Sequence, residues 1–167
     1  MQELLLRLVS LWVWVAIALV TVVDVLLIII LSPLYVFDKK RAIAHWIGSV
    51  WGRSILFFNP LWAITVRGRE NIQKGRSYII VANHQSMGDI IVLYYLRMNF
   101  KWIAKSSLFK VPFLGWGMSL AGYIPLKRGV HGSIRESFQD AIDWIEQSVS
   151  VLFFPEGTRS VDAKLAP

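Results

Sequence analysis

The segment Tyr78–Arg97, YIIVANHQSMGDIIVLYYLR, carries the pattern that decides the fold. Its first five residues form a short apolar run rich in β-branched side chains, which is typical of a buried strand. A polar turn follows, and Asp89–Arg97 then has the apolar spacing of a helix. Strands that alternate with helices in this way build α/β domains with largely parallel sheets.

Shorter apolar runs on either side of this segment continue the alternation. We predict further strands at Ile64–Val66, Phe100–Ala104, Tyr123–Leu126 and Val149–Phe154. The clearest helix is Ile134–Gln147, which opens with a capping box of Ser133 and Glu136 and has Phe138 and Ile142 on its apolar face. Together these elements predict an α/β fold in which helices flank a mixed, mostly parallel sheet.

The composition indicates contact with a membrane. The mean hydropathy is +0.50, and only 17% of the residues are charged, whereas about a quarter are charged in an ordinary soluble domain. Leu8–Leu31 is an apolar run long enough to cross a hydrocarbon core of about 30 Å. Because a carboxylate in lipid is costly, Asp24 within this run keeps a shallow or hairpin insertion open beside a true span.

A basic cluster and a second apolar segment follow this run. Lys39–Arg41 marks the return to water and predicts that this side faces the cytoplasm. Ala42–Ile64 mixes aromatic with scattered polar residues, which suits the headgroup boundary. We therefore predict an N-terminal helical anchor over residues 1–64 at the cell inner membrane, with two helices held in one leaflet. A catalytic domain then occupies residues 65–167 on the cytoplasmic side.

The absence of some residues and patterns excludes several classes of function. The sequence contains no cysteine, which excludes disulfides, thiolate catalysis and cysteine metal sites. No His, Asp and Glu residues have convincing metal-ligand spacing, and we expect neither a metal nor a cofactor. The net charge of +7 favours an anionic lipid surface over nucleic acid, because the basic residues are dispersed.

His84 and Asp89 are candidate partners in proton transfer. A histidine accepts a proton near neutral pH, since its reference pKa is about 6.5. A carboxylate on the other ring nitrogen would fix the tautomer and stabilise the imidazolium that forms. Five residues is the wrong spacing for one face of a helix, but a tight turn at Gly88 allows the two side chains to face each other. The plainer alternatives are a structural histidine and an aspartate that caps the following helix.

Three segments that follow predicted strands contain side chains that could bind anions. Glu156–Arg159 ends in a guanidinium whose planar fork of donors suits phosphate oxygens. Arg128 and Lys105 each lie just after a predicted strand as well. When each segment is viewed singly, a turn with a surface ion pair or a solvated basic turn explains it equally well.

The order of these motifs resembles that of the glycerolipid acyltransferase family. The set consists of His84 with four residues before Asp89, then Lys105, Phe109–Pro112, Pro125–Arg128 and Phe154–Arg159. Within the family it is similar to the bacterial 1-acyl-glycerol-3-phosphate acyltransferases. The resemblance covers Thr65–Ser160, and a hydrophobic N-terminal anchor also fits the family.

The resemblance implies an activity and a role for each motif. A fatty acyl group would pass from acyl-CoA or acyl-carrier protein to the free hydroxyl of 1-acyl-glycerol 3-phosphate (lysophosphatidate), which gives phosphatidic acid. His84 would be the general base and Asp89 its orienting partner. The residues implied to hold the glycerol-phosphate end of the acceptor are Arg128, Glu156, Gly157, Thr158 and Arg159, with Lys105 as a further phosphate ligand.

The sequence departs from the family pattern in two places. Lys127 stands where the family often has an aspartate, which leaves the acceptor less certain. The Val-Pro-rich strand that follows the Glu-Gly-Thr-Arg motif is missing before Pro167, so we expect the domain to be C-terminally incomplete. Acylation of another lysophospholipid or of glycerol 3-phosphate therefore stays open, as does an inactive membrane-anchored fragment.

Overall fold

The computed structural model describes residues 2–59 and 62–158, apart from the side chain of Gln2. Helices and strands alternate along this part of the chain. In order they are α1 (Gln2–Leu31), α2 (Ala42–Phe57), β1 (Ile79–Val81), α3 (Gly88–Leu93), β2 (Phe100–Lys105), α4 (Leu114–Leu120), β3 (Ile124–Leu126), α5 (His131–Glu146) and β4 (Ser150–Phe153). Short 3-10 helices lie between them at Ser32–Val36, Arg69–Asn71, Tyr94–Leu96 and Ser106–Lys110.

The four strands form one sheet in the order β1-β4-β2-β3. Leu152 of β4 pairs with Ile80 of β1 on one side and with Trp102 of β2 on the other. Ile103 of β2 pairs with Ile124 of β3. The predicted α/β fold is confirmed, and every pairing among the described residues is parallel rather than mixed.

Aromatic side chains fill the core between the sheet and α2. Tyr94, Phe100 and Trp102 are at most 5% exposed, and burying a large apolar side chain contributes about 1.5–3 kcal/mol. His45 of α2 packs edge-on against Phe100, with the ring centres 4.5 Å apart. Burial lowers the pKa of His45 to about 3, so this imidazole is neutral and serves as a packing group. Helix α2 is therefore part of the core of the sheet domain.

Helix α1 packs one face against the rest of the protein. The Trp51 indole N–H of α2 donates to the Thr21 hydroxyl at 2.9 Å. Val25 and Ile28 are each 5% exposed and lie against Gly117 of α4. Asp24, at 7% exposure, is on the same packed face. The Asp24 carboxyl group, which would be costly in lipid, is thus buried against protein.

The opposite face of α1 is an exposed apolar surface. It includes Leu4, Leu8, Leu11, Trp12, Leu19, Val23, Leu26 and Ile30, all at least 45% exposed. Among the described residues, α1 is the one helix whose length and composition would allow it to cross a membrane. A helix with one face packed on protein and the other apolar and exposed also suits the plane of a membrane surface.

One predicted strand is absent. Ile64–Val66 lies in a stretch without regular structure and pairs with no strand. Ile64 instead packs against the cluster of Ile55, Leu56 and Ile91, between α2 and α3. A short apolar run at this length does not distinguish a strand from an extended segment that covers a hydrophobic cluster, and the strand prediction was wrong for that reason.

Helix α5 begins earlier than predicted. Its first residue is His131, so Ser133 and Glu136 lie inside the helix and form no capping box. The Ser133 hydroxyl accepts the backbone N–H of Lys127 at 2.9 Å, which ties the end of β3 to the helix. The hydroxyl is thus used by the preceding loop rather than by the helix terminus.

The buried face of α5 is also rotated from the predicted one. Ser137 is 2% exposed, and its hydroxyl lies within hydrogen-bond distance of the carbonyl oxygens of Ser133 (2.6 Å) and Pro125 (3.0 Å). Phe138 and Ile142, which were expected in the core, are 60% and 49% exposed. A serine can occupy the packed face because a neighbouring carbonyl satisfies its hydroxyl, and apolar spacing alone does not reveal this.

A fully buried lysine links β2 to three helices. Lys101 Nζ donates to the carbonyl oxygens of Arg41 (3.3 Å), just before α2, and of Ala121 (3.0 Å), just after α4. It also lies 4.8 Å from the centre of the Trp144 ring of α5. Burial lowers the pKa of Lys101 to about 7, while the Asp38 carboxylate opposes this shift and the Arg41 guanidinium adds to it.

We expect Lys101→Met to change how stability depends on pH. A lysine in the unfolded chain holds its proton up to about pH 10.5, whereas folded Lys101 releases it above about pH 7. The unfolded state therefore binds more protons between these values, so wild type gains stability relative to the variant as the pH rises through that window. Thermal melting of both proteins from about pH 6 to pH 10 measures this. A difference in melting temperature that stays constant with pH would contradict the assignment.

Candidate active site

Chemically active side chains lie at one edge of the sheet, where the parallel strands end. β1 leads into His84, β2 ends at Lys105, β3 leads into Arg128 and β4 leads into residues 156–158. Open parallel sheets bind ligands in the crevice outside these carboxyl ends. Because β4 is the neighbour of β1, the segment after β4 lies next to His84.

The His84 imidazole and the Asp89 carboxylate are in direct contact. Nδ1 of His84 lies 2.9 Å from Oδ2 of Asp89, and the two side chains are 13% and 23% exposed. Asp89 is the second residue of α3, and the N-cap of that helix is Met87. The interpretation of Asp89 as the helix cap was therefore wrong, and its carboxylate is available to orient the imidazole.

Backbone groups hold the Asp89 carboxylate in place. Its Oδ2 accepts the N–H groups of Gln85 at 2.7 Å and Ser86 at 2.9 Å. Burial by itself would raise the pKa of Asp89, but these two N–H groups and His84 outweigh it and lower the pKa below its ordinary value. Asp89 is thus ionised near neutral pH, and the hydrogen bond requires the His84 proton on Nδ1. Nε2 is then free to accept a proton.

Phe154 holds the other side of the His84 ring. The two rings stack with centres 4.1 Å apart and planes inclined by 16°. Phe154 in turn packs against Trp102 of the sheet core, with ring centres 5.7 Å apart. The imidazole is therefore fixed at its edge by Asp89 and across its face by the first residue after β4.

Arg128 reaches the turn that follows β4. A Cβ atom on Gly157 would lie 3.5 Å from Arg128 Nε, so the arginine side chain passes over this glycine. Gly157 has a φ of +64°, a left-handed conformation that glycine adopts without strain. Its N–H donates to the Phe154 carbonyl at 3.1 Å. The structure thus brings Arg128, which follows β3, next to Gly157, which follows β4, although these two strands are not neighbours in the sheet.

The other predicted binding residues lie at the same edge or outside the described part of the chain. Glu156 has a buried carboxylate oxygen, Oε1, that makes no hydrogen bond with any group in residues 2–59 and 62–158. Thr158 and Lys105 are exposed, Lys105 at the end of β2 between the strands that lead to Gly157 and Arg128. Arg159 lies outside the described residues.

Two adjoining cavities extend from Asp89 towards the N-terminal helices. The smaller, of about 350 Å³, is lined by Trp62, Ala63, Ile64, Ser86, Gly88, Asp89 and Val92. The larger, of about 550 Å³, is lined by Val50, Arg53, Ser54, Leu56, Phe57, Phe58, Trp62, Ile64 and Tyr95. Trp62 and Ile64 line both. Sequence reasoning assigned Trp62 to the anchor and Ile64 to a strand, and no spacing signal indicated a cavity there.

The remaining two histidines do not belong to this site. His45 is 5% exposed within the aromatic core, and His131 is the exposed first residue of α5. His84 is therefore the histidine that combines a carboxylate partner with a position at the end of a strand.

Comparison with known proteins defines the family. An acyltransferase family model matches residues 63–167, which include the whole sheet edge described above. The chain belongs to the acyltransferase family. The family predicted from the order of the sequence motifs is thereby confirmed.

Three curated relatives of this acyltransferase are named 1-acyl-sn-glycerol-3-phosphate acyltransferases. A 1-acyl-sn-glycerol-3-phosphate acyltransferase of Chlamydomonas reinhardtii is 39% identical over 140 residues, covering 82% of this chain and 42% of the relative. A chloroplastic one of Arabidopsis thaliana is 36% identical over 144 residues, covering 84% and 40%. A third, of Saccharomyces cerevisiae, is 33% identical over 139 residues, covering 82% and 46%. The chain thus spans less than half the length of these relatives.

A solved structure shares the fold of this acyltransferase. The crystal structure of the 1-acyl-sn-glycerophosphate (LPA) acyltransferase, PlsC, from Thermotoga maritima superposes with a TM-score of 0.80 at 29% identity. The alignment covers 99% of this chain and 66% of that one. It therefore includes the N-terminal helices α1 and α2 as well as the sheet.

Proposed function

We propose that this acyltransferase transfers a fatty acyl group from a thioester to the free hydroxyl of 1-acyl-glycerol 3-phosphate, which gives phosphatidic acid. The observation that carries this proposal is the His84–Asp89 contact at the sheet edge where Arg128 meets Gly157. An acceptor with both a hydroxyl and a phosphate needs a base beside a cationic group, and this edge supplies both. The names of the relatives support the same acceptor.

His84 activates the acceptor. A glycerol hydroxyl is a poor nucleophile until a base removes its proton as it attacks. Nε2 of His84 takes this proton while the hydroxyl oxygen bonds to the thioester carbonyl carbon. The imidazolium that forms is stabilised by the Asp89 carboxylate 2.9 Å from Nδ1. The immediate product is a tetrahedral oxyanion, which nearby backbone N–H groups or cations stabilise.

Collapse of this intermediate completes the transfer. The carbon–sulfur bond breaks, the carbonyl re-forms as an ester, and the thiolate takes the proton from the His84 imidazolium. A thiol with a pKa of about 8.5 departs readily. The acyl group passes directly to the acceptor, because the sequence has neither a cysteine nor a Gly-x-Ser-x-Gly turn to form an acyl-enzyme. The activated acyl group arrives with acyl-CoA or acyl-carrier protein, so we propose that no cofactor takes part.

The acceptor headgroup lies against the turn after β4. Arg128 offers several N–H donors to the phosphate oxygens, and Lys105 adds a cation from the end of β2. Glu156 has a buried oxygen that finds no hydrogen-bond partner in the described part of the chain, and such an oxygen suits a hydroxyl or a cationic side chain. We propose that Gly157, Thr158 and Arg159 complete this acceptor site.

Helices α1 and α2 hold the enzyme at the surface of its lipid substrate. The exposed apolar face of α1 enters one leaflet, and its packed face carries the catalytic domain. The cavities between α2 and Asp89 then open towards the membrane and accommodate the acyl chain. We propose the inner membrane, with the catalytic domain on its cytoplasmic face, because Lys39–Arg41 follows α1 closely.

A panel of acceptors tests the proposed substrate. We expect thiol release from an acyl donor to be fastest with lysophosphatidate, because its phosphate is a terminal dianion and its single acyl chain fits the membrane. Lysophosphatidylcholine, whose phosphate is a diester with one negative charge, and glycerol 3-phosphate, which has no acyl chain, should be slower. A rate with lysophosphatidylcholine equal to that with lysophosphatidate would contradict the proposal.

Arg128→Ala should raise KM for the acceptor and leave KM for the acyl donor unchanged. A hydrogen bond to a charged group contributes about 1.5–3 kcal/mol, which corresponds to about a 10- to 100-fold change in KM. Steady-state kinetics with each substrate varied in turn measure this. Lys127→Ala, an exposed cation one residue away, is the matched control. If Arg128→Ala raised KM equally for the acceptor and for the acyl donor, Arg128 would lie outside the acceptor site.

A further inference from the structure

An exposed aromatic patch lies at the start of α4 and in the segment just before it, apart from the site described above. It consists of Val111, Phe113 and Trp116, which are 43%, 40% and 52% exposed. The rings of Phe113 and Trp116 lie 5.1 Å apart and form one surface. Lys110, immediately before the patch, is also exposed. Neither the proposed chemistry nor the acceptor site uses any of these side chains.

The backbone at the patch is strained. Phe113 has φ +62° and ψ −63°, and the Leu114 N–H donates to the Pro112 carbonyl at 2.8 Å. These values define the rare form of the three-residue γ-turn, which is unfavourable for a residue with a side chain. Backbone strain of this kind persists at sites where the surrounding structure enforces it, often for function. Here it keeps a large aromatic side chain exposed at a position where glycine would be less strained.

The patch adjoins the exposed apolar surface of α1. Gly117 lies one residue after Trp116, and a Cβ atom on it would be 3.0 Å from Val25 of α1. Val22 and Ile29, three residues before and four residues after Val25, lie at the border between the packed face and the exposed apolar face of that helix, and they are 39% and 37% exposed. Apolar surface therefore continues from α1 across to α4.

We propose that the aromatic patch inserts into the headgroup boundary of an anionic bilayer and forms a second membrane contact beside α1. Tryptophan and phenylalanine favour this boundary, and a flanking lysine favours anionic lipid. The proposal rests on the proposed function in one respect, namely that α1 lies in a membrane. The continuity of the patch with α1 identifies lipid, rather than a second copy of the chain, as the occupant.

The second contact would orient the active site. An anchor along α1 alone leaves the tilt of the attached domain loosely defined, whereas a second contact beside it fixes that tilt. β2 ends at Lys105 on the sheet edge that carries His84, and only the 3-10 helix Ser106–Lys110 separates this edge from the patch. Insertion of Phe113 and Trp116 therefore holds that edge close to the lipid that contains the acceptor.

Single cysteines in this cysteine-free chain test the proposal directly. Trp116→Cys and Phe113→Cys probe the patch, each with the other ring intact. Phe138→Cys is the matched control, since Phe138 is an exposed aromatic residue of α5, and Leu26→Cys reports on α1. Each protein is reconstituted into vesicles of phosphatidylcholine and phosphatidylglycerol and treated with a water-soluble maleimide. Thiolate formation is suppressed in apolar surroundings, so we expect the patch cysteines to react about tenfold more slowly than Cys at position 138.

A second readout identifies what covers the patch. The same cysteines carry an environment-sensitive fluorophore, and lipids with a quencher on the upper acyl chain are added to the vesicles. We expect quenching at positions 113, 116 and 26 and none at position 138. Protection from maleimide without quenching would show that protein covers the patch and would overturn the proposal. Free reaction at positions 113 and 116 with position 26 protected would overturn it while leaving the α1 anchor intact. Free reaction at position 26 would instead refute the anchor itself.

Discussion

His84→Ala should lower kcat for acyl transfer to lysophosphatidate by about 10³-fold, within the range that positioned general bases contribute. The acceptor hydroxyl would then attack without losing its proton, since no other histidine lies at the sheet edge among the described residues. KM for either substrate should change little, because the imidazole acts on the reacting atoms rather than on the headgroup. Thiol release from the acyl donor, followed with and without acceptor, measures the loss.

Two controls separate this loss from misfolding. His131→Ala removes an exposed histidine at the start of α5 and should leave kcat unchanged. The membrane association and melting temperature of His84→Ala should match those of wild type within a few degrees, because the ring is one partner of a single stack with Phe154. If His84→Ala folds, associates with vesicles and still transfers acyl groups at the wild-type rate, His84 is not the base, and the motif would belong to a membrane-bound scaffold.

Asp89→Asn should lower kcat by about 10²- to 10³-fold. The amide oxygen can still accept the N–H groups of Gln85 and Ser86, so the turn keeps its shape. The same oxygen can still accept Nδ1–H, but the uncharged amide no longer stabilises the imidazolium that forms when His84 takes the proton. Asp143→Asn makes the same chemical change at an exposed position of α5 and is the matched control.

Separate kcat and KM values distinguish positioning by Asp89 from a merely structural role. Loss of the charge acts on the reacting imidazole, so kcat should fall while KM for both substrates and the melting temperature stay close to those of wild type. A structural defect would change KM and the melting temperature as well. A loss of rate that is matched by a lower melting temperature and higher KM values would therefore count against Asp89 as the orienting group.

The sequence predicted the contact between His84 and Asp89 better than the arrangement of the sheet. A strand, a turn with Gly88 and a helix confine His84 and Asp89 to a few residues, so local geometry almost suffices to bring them together. The central position of β4 depends on crossovers that span much of the chain, and apolar spacing carries no information on strand order. The contact of Arg128 with Gly157 depends on that order, so the motifs alone did not predict it.

Other differences between the predictions from the sequence and the structure arise where two physical effects compete. The apolar spacing of α5 predicted Phe138 in the core, but Ser137 occupies the packed face because the carbonyl oxygens of Pro125 and Ser133 are available to its hydroxyl. Lys101 would be exposed by its residue type, yet two carbonyls and the Trp144 ring compensate its burial. Such compensation involves residues far apart in the chain, which are visible only in the folded structure.

The tautomer of His84 tests the central claim most directly. If Asp89 accepts a proton from Nδ1, the unprotonated nitrogen that serves as the base is Nε2. Nitrogen-15 NMR of histidine-labelled protein distinguishes the two ring nitrogens, and comparison with His84→Ala identifies the signals among the three histidines of the sequence. We expect the neutral His84 ring to carry its proton on Nδ1. A neutral ring protonated on Nε2 would have no base facing the acceptor and would contradict the account.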